Sequence, residues 1–213
     1  MSREGIGPVV GLVLFTGIVL AGAIVTARVH LQILSGISLL LTLLVVNFFR
    51  DPERTIPEGE DYILSPADGK VVEIRREFED TYLKGETTRV SIFLSIFDVH
   101  INRVPMSGRV EYFRYRKGSF VQAYKSEASE VNEQTAIGIE NGSRKILFKQ
   151  IAGILARRIV CNIREGNTVR SGERFGMIKF GSRVDIFVPE NVELRVALNQ
   201  KVKGGESIIG VFK

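Results

Sequence analysis

A single cysteine, Cys161, occurs in the 213-residue chain, so an internal disulfide and a multi-cysteine zinc site are both excluded. Histidine is nearly as scarce. His30 and His100 are the two present, which argues against a metal enzyme. Charge is missing from two long stretches. No charged residue occurs from Pro8 to Ala27 or from Leu31 to Phe49. Each run is close to the ~20 residues that cross hydrocarbon as a helix. A lone run of this kind reads as a signal peptide. Here a second follows after only Arg28-Val29-His30, and a helical hairpin over residues 1–49 is the better reading. Its helices are expected at about 8–27 and 31–49, with the helix ends helping to make the short turn. A shallow interfacial hairpin is the rival.

These runs account for the 45% hydrophobic content and the mean hydropathy of +0.12, which are high for a soluble protein. A hairpin returns the chain to the side it left. Arg3, Arg50 and Arg54 flank it, against Arg28 in the turn. Basic residues favour the cytoplasmic side and acids contribute little, although Glu4, Asp51 and Glu53 share those flanks. The expectation is a cell-membrane anchor carrying a cytoplasmic domain from residue 50 to 213. The net charge of +5 suits an anionic membrane surface. No basic run or binding motif points to nucleic acid.

Beyond Arg50 the pattern turns to β. Arg89–Phe97 is apolar on both faces, as in a buried strand. Val71–Ile74, Gly108–Phe113, Arg144–Phe148, Arg157–Cys161, Val184–Val188 and Ile208–Phe212 read as further short strands. Their spacing predicts an all-β sandwich or barrel. Gln150–Arg158 is open to a helical turn. Two weak repeats stand out. Pro66-Ala-Asp-Gly-Lys-Val71 is echoed by Pro105-Met-Ser-Gly-Arg-Val110, and Val169-Arg-Ser-Gly-Glu173 by Val202-Lys-Gly-Gly-Glu206. Such pairs suggest a pseudo-symmetric sandwich resembling the biotinyl/lipoyl-carrier type of β fold. Glycine turns also recur in any β protein.

Three loop-like segments carry reactive side chains: Ser65-Pro-Ala-Asp-Gly69, Phe97-Asp-Val-His-Ile-Asn-Arg103 and Phe180-Gly-Ser-Arg183. A serine, a histidine and an aspartate so distributed are the parts of an activated nucleophile. Gly181 before Ser182 leaves the preceding carbonyl unobstructed and tolerates strained backbone angles. A bare Gly-Ser is common, however, and the Gly-x-Ser-x-Gly of α/β-hydrolases is absent. His100 is the one histidine beyond the hairpin and has the chemistry of a base near neutral pH. Asp98 shares its face if the strand continues. A hydrogen-bonded histidine at a strand end is the plain alternative. Asp68 is equally a turn residue accepting backbone hydrogen bonds. Arg103 and Arg183 have forked donors for phosphate or carboxylate, or are simply solvated.

Taken in order, Asn47-Phe-Phe-Arg-Asp-Pro-Glu-Arg54, Ser65-Pro-Ala-Asp-Gly-Lys-Val71, Ser95-Ile-Phe-Asp-Val-His-Ile-Asn-Arg-Val-Pro105, Asn132-Glu133 and Lys179-Phe-Gly-Ser-Arg183 resemble the phosphatidylserine decarboxylase family. The likeness runs over essentially the whole chain and is to the short, membrane-anchored subtype, which includes archaetidylserine decarboxylases. The resemblance implies cleavage between Gly181 and Ser182 into a β chain, 1–181, and an α chain, 182–213. It implies conversion of Ser182 into a covalent pyruvoyl cofactor, with His100 and Asp68 matching the family's histidine and acidic motifs. The implied substrate is a serine-headgroup phospholipid, decarboxylated to the ethanolamine lipid after condensation with its amine, without added metal. Association of several copies is compatible with it. Two departures are visible. Longer members typically have Leu-Gly-Ser-Thr where this chain has Phe180-Gly-Ser-Arg183, and many have a second histidine where it has Arg103. The alternative from another class is a non-enzymatic membrane-anchored β-sandwich adaptor of a transport or envelope assembly. A serine hydrolase using uncleaved Ser182 is a third reading.

Overall fold

The structure, a computed structural model, describes residues 1–119, 121–122, 128–153, 159–179 and 182–213. Two units divide the chain, Met1–Pro52 and Glu53–Lys213.

In the first unit α1 (Arg3–Thr26) and α2 (Val29–Phe48) form an antiparallel pair. Both are long and apolar enough to cross a membrane. α1 starts earlier than the charge-free run because Arg3 and Glu4 continue the helix, with the acid favourably placed in its first turn. The link is Ala27–Arg28, so Val29 and His30 belong to α2 rather than to the turn. Ala27 takes a left-handed conformation, φ 50°, and its N–H bonds Ala23 O at 3.0 Å. Small and polar residues face inward. Gly5, Val9, Thr16 and Ala23 of α1 and Ser38 and Thr42 of α2 are buried, and the Thr16 and Thr42 hydroxyls lie 3.0 Å apart. Leu, Ile and Val point outward, with Val25 83% exposed. The small residues let the two helix backbones approach closely.

The second unit is mainly antiparallel β structure. Its strands are β1 (Tyr62–Leu64), β2 (Gly69–Glu79), β3 (Gly85–Leu94), β4 (Ile101–Arg103) and β5 (Gly108–Arg116). After the short α3 (Ala128–Val131) come β6 (Gln134–Asn141), β7 (Arg144–Ile151), β8 (Ile159–Cys161), β9 (Thr168–Val169) and β10 (Arg174–Ile178). Then follow β11 (Ser182–Pro189), β12 (Val192–Leu194), β13 (Lys201–Val202) and β14 (Ile208–Phe212). Among the described residues, eight strands form a curled half-barrel in the order β13-β2-β3-β11-β7-β6-β5-β9. Two three-stranded sheets, β1-β14-β12 and β4-β10-β8, complete the unit. The main core gathers the inward residues of all three, among them Ile63, Val71, Ile92, Phe148, Phe175, Ile186 and Phe212.

The order of the large sheet reads as two matching halves that meet where β11 pairs with β7. β13 joins β2 through Val202↔Gly69, as β9 joins β5 through Val169↔Gly108. Register shifts fall between Val71 and Glu73 in one half and Val110 and Tyr112 in the other. The halves exchange backbone bonds, Leu64 N to Pro105 O at 2.8 Å and Arg103 N to Pro66 O at 2.9 Å. The sequence repeats therefore mark strand starts. Glycine is required at both, because a Cβ on Gly69 would lie 2.3 Å from Phe93 O and one on Gly108 2.3 Å from Glu140 O. The second half runs through in order from β4 to β10, and its β6 and β7 close in a hairpin with Asn141 paired to Arg144. In the first half the corresponding strands are β3 and β11, and the corresponding pair is Leu94↔Ser182. The whole second half is thus inserted at the hairpin tip of the first, and Ser182 stands at that tip.

Two expectations need correction. β3 ends at Leu94, not Phe97. Ser95 starts a turn instead, with its N–H and hydroxyl both donating to the Asp98 carboxylate at 2.8 and 2.7 Å. Gln150 and Ile151 end β7, Ala152 and Gly153 follow without regular structure, and the remainder of the segment considered for a helical turn, 154–158, lies outside the described residues.

Candidate active site

Ser182 is the first residue of β11 and is fully buried. Its Oγ has no hydrogen-bond partner among the described residues. Alternation along the strand puts Ser182, Val184 and Ile186 on the inward face. Val184 packs there in a small cluster with Ala67, Leu94, Ala152 and Ile178. Phe180 and Gly181 lie outside the described residues.

His100 is fully buried just before β4. Its Nδ1 lies 3.0 Å from Asp98 O. A carbonyl can only accept, so Nδ1 carries the proton in this contact and the neutral ring has its lone pair on Nε2. The strand does not continue through Asp98 as the shared-face argument required. Asp98 therefore positions the imidazole through its backbone, while its carboxylate closes the Ser95 turn. His100 O in turn accepts Ile178 N at 3.4 Å.

Asp68 accepts from Arg54 Nη2 at 3.0 and 2.8 Å and from Gly204 N at 2.8 Å. Burial raises its pKa from 3.8 despite these donors. The Gly204 contact belongs to the fold, because the matching position in the other half is Ser107, whose Oγ accepts Ser171 N at 2.8 Å. What distinguishes Asp68 is its charge and Arg54, which also reaches Glu206 at 3.5 Å.

The three segments converge at one end of the core. Ala67, next to Asp68, shares the small apolar cluster with Ile178, which is bonded to His100, and with Leu94, which is paired with Ser182. Asn102 links them further. Its Nδ2 reaches Pro66 O at 3.5 Å and its Oδ1 accepts Gln150 Nε2 at 2.8 Å. Asn132 braces the same end through Val121 O and Ala152 O, at 2.8 and 2.7 Å. Sequence reasoning did not single out Arg54, Asn102 or Gln150. Two of them lay inside quoted motifs, while Gln150 carried no local signal. A cavity of about 410 Å³ lined by Thr87, Thr88 and Glu190 lies at the other end of β11 and is not part of this site.

Comparison with known proteins gives the family. The family profile for phosphatidylserine decarboxylase matches residues 41–210. The chain belongs to the phosphatidylserine decarboxylase family. It is 47% identical over 214 residues to a phosphatidylserine decarboxylase proenzyme of Carboxydothermus hydrogenoformans, covering 100% of this chain and 97% of that one. It is 40% identical to the proenzyme of Desulfotalea psychrophila, with coverage of 99% and 95%. Against that of Chlorobium phaeobacteroides strain BS1 it is 39% identical over the full length of both.

Within this family the chain's two departures have distinct structural settings. Arg103 and Arg183 are both buried, so of the two alternatives the solvated one does not hold. Arg103 Nη1 donates to Gly172 O at 3.0 Å. Arg183 faces away from the core side of β11. It is held by Asp185 at 2.6 Å, Glu73 at 2.7 Å and Ser91 Oγ at 2.6 Å. With its donors directed at the protein's own carboxylates, Arg183 is a structural cation rather than a phosphate receptor.

Proposed function

We propose that the chain is a self-processing proenzyme that matures into a pyruvoyl-dependent decarboxylase of phosphatidylserine or its ether-linked archaeal counterpart. The observation that carries this reading is Ser182, a buried hydroxyl directly after Gly181 with no hydrogen-bond partner among the described residues, within a chain that matches proenzymes along its length. In the first step Ser182 Oγ attacks the Gly181 carbonyl carbon and gives up its proton. The Gly181–Ser182 C–N bond breaks, the nitrogen takes a proton, and an ester joins the fragments. Loss of the Ser182 Cα proton expels the Gly181 carboxylate and leaves dehydroalanine. Its tautomer hydrolyses, releasing ammonia and leaving the pyruvoyl group. His100, with its proton on Nδ1, has a lone pair suited to taking the hydroxyl proton. Asp68 adds a carboxylate near the same end of the core.

The apolar cluster beside Ser182, with Ala67, Leu94 and Val184, fits such a group, which has no charge to solvate. Once formed, it supplies an electron sink for loss of carbon dioxide from the bound amino acid headgroup. The chain's own residues then exclude water through Ala67, Leu94 and Val184 and hold protons at His100. The α chain would contribute β11, at the centre of the large sheet, so cleavage leaves the two chains bound by strand pairing on both sides. The duplicated strand pattern supports a relationship to the biotinyl/lipoyl-carrier type of β fold. The two apolar helices support anchoring in the cell membrane, with the catalytic unit on the cytoplasmic side.

Intact-mass measurement of the purified protein tests the reading. Two chains are expected, the smaller covering 182–213 with an amino end that amine reagents do not label. The Ser182→Ala protein should remain one chain and release no carbon dioxide from phosphatidylserine. A single chain from the unsubstituted protein would overturn the proposal.

A further inference from the structure

Asn102 and Gln150 are two fully buried amides in a region that the fold builds from apolar residues elsewhere. The two-fold repeat provides the comparison. Asn102 pairs with Gly176 across β4 and β10, as Ile63 pairs with Gly210 across β1 and β14. Gln150 pairs with Thr135, as Val188 pairs with Thr88. The counterparts of the amide pair are therefore Ile63 and Val188, both buried in the main core. The architecture is satisfied by aliphatic side chains there, so the amides answer to something other than folding.

Their orientation is defined. Gln150 Nε2 donates to Asn102 Oδ1 at 2.8 Å and to Val160 O at 3.2 Å. Both partners are acceptors, which fixes the amide and turns Oε1 away from them. Gly176 makes room for this crossing, since a Cβ there would meet Gln150 Nε2 at 3.0 Å. Gln150 Oε1 is then left buried with no donor among the described residues. Ser182 Oγ is a buried hydroxyl in the same condition. Gln150 faces Val184 across β7 and β11, so it shares a sheet face with Ser182 as its diagonal neighbour, about 7 Å away.

We propose that the Asn102–Gln150 pair is a positioning device for self-cleavage. Asn102 ties the Pro66 and His100 segments to β7 and fixes the amide. Gln150 Oε1 accepts the hydrogen bond of the Ser182 hydroxyl in the cleavage-competent state and holds that oxygen for attack. The proton itself leaves to a base, not to the amide. This rests on the proenzyme reading above.

The test is the rate at which full-length protein converts into two chains after synthesis, compared with precursor stability measured in a Ser182→Ala background. The double variant Asn102→Ile, Gln150→Val copies the other half. It should melt no lower than the parent yet cleave about tenfold or more slowly, the order of loss a misplaced reacting group produces. Gln150→Met, which keeps the volume and removes the acceptor, should show the same slowing and decides the matter if the double variant does not fold. Asn102→Asp keeps an acceptor for Gln150 Nε2 and should cleave much faster than Asn102→Leu, a difference that a merely space-filling role would not produce. Cleavage of Gln150→Met at the unsubstituted rate would overturn the proposal, as would equal rates for the two Asn102 variants. Failure of the unsubstituted protein to cleave would instead overturn the proenzyme reading beneath it.

Discussion

His100 illustrates how a side chain's role depends on one turn. Its Nδ1 contact with Asp98 O sets the tautomer, so the ring needs no carboxylate to direct its lone pair. Replacing His100 by Ala should slow chain cleavage, carbon dioxide release, or both by a factor on the order of 10². Separate gel and gas-release assays distinguish the two, and unchanged values in both would make His100 structural. Asp68 lends itself to a stability measurement. Burial holds its folded pKa above 3.8, outweighing Gly204 and Arg54. The native state thus keeps this proton longer than the unfolded chain does. The contribution favours folding below the unfolded pKa and is lost as pH rises through the folded one. Asp68→Asn should remove that decline, and unfolding titrations of both proteins from acid to neutral pH would show it. Parallel stability profiles would count against the burial argument.

At the scale of elements, β11 separates two kinds of chemistry by alternation. Its inward face offers Ser182 to a dry core, while its outward face carries Arg183 and Asp185, among the most buried charges of the chain. Asp185 is also bonded by Ser129 Oγ at 2.6 Å, which ties α3 to the strand. Removing one partner of such a pair leaves the other charge stranded. Arg183→Met in the uncleaved Ser182→Ala background should lose about 3–5 kcal/mol in denaturant unfolding, and adding Asp185→Leu should recover much of it. A loss below about 1 kcal/mol would place the pair with exposed ion pairs.

For the whole molecule, the chain divides into a helical hairpin and a β unit, and the residues proposed for the chemistry fall in the second. Asp68, His100 and Ser182 all lie in Glu53–Lys213. A chain starting at Glu53 should therefore still cleave itself. Its decarboxylation of lipid in bilayers should fall far more than its turnover of short-chain substrate in detergent, because anchoring confines enzyme and substrate to one layer. High salt belongs in the comparison, since the truncated protein keeps 26 of the 29 basic and 22 of the 24 acidic residues, a net +4 that attracts it to anionic vesicles. Equal losses on both substrates would mean that the hairpin builds the active site.

The hairpin was legible from the sequence because hydropathy adds up locally, residue by residue. The glycine repeats likewise marked where β2 and β5 begin, because only backbone without Cβ fits there. β6 was not legible. Gln134-Thr-Ala-Ile-Gly-Ile-Glu-Asn141 has little strand pattern, and it is a strand because β5 and β7 pair with it on either side. Gly138 within it lies under the Tyr82 ring, 2.6 Å from where a Cβ would stand. The burial of Arg183 depends on Glu73, 110 positions away, and the setting of Gln150 on Asn102, 48 positions away. Local pattern carries what a residue does to its own neighbours. Which distant carboxylate neutralises a buried cation, and which amide shares a sheet face with Ser182, followed only from the strand register that brings those segments together.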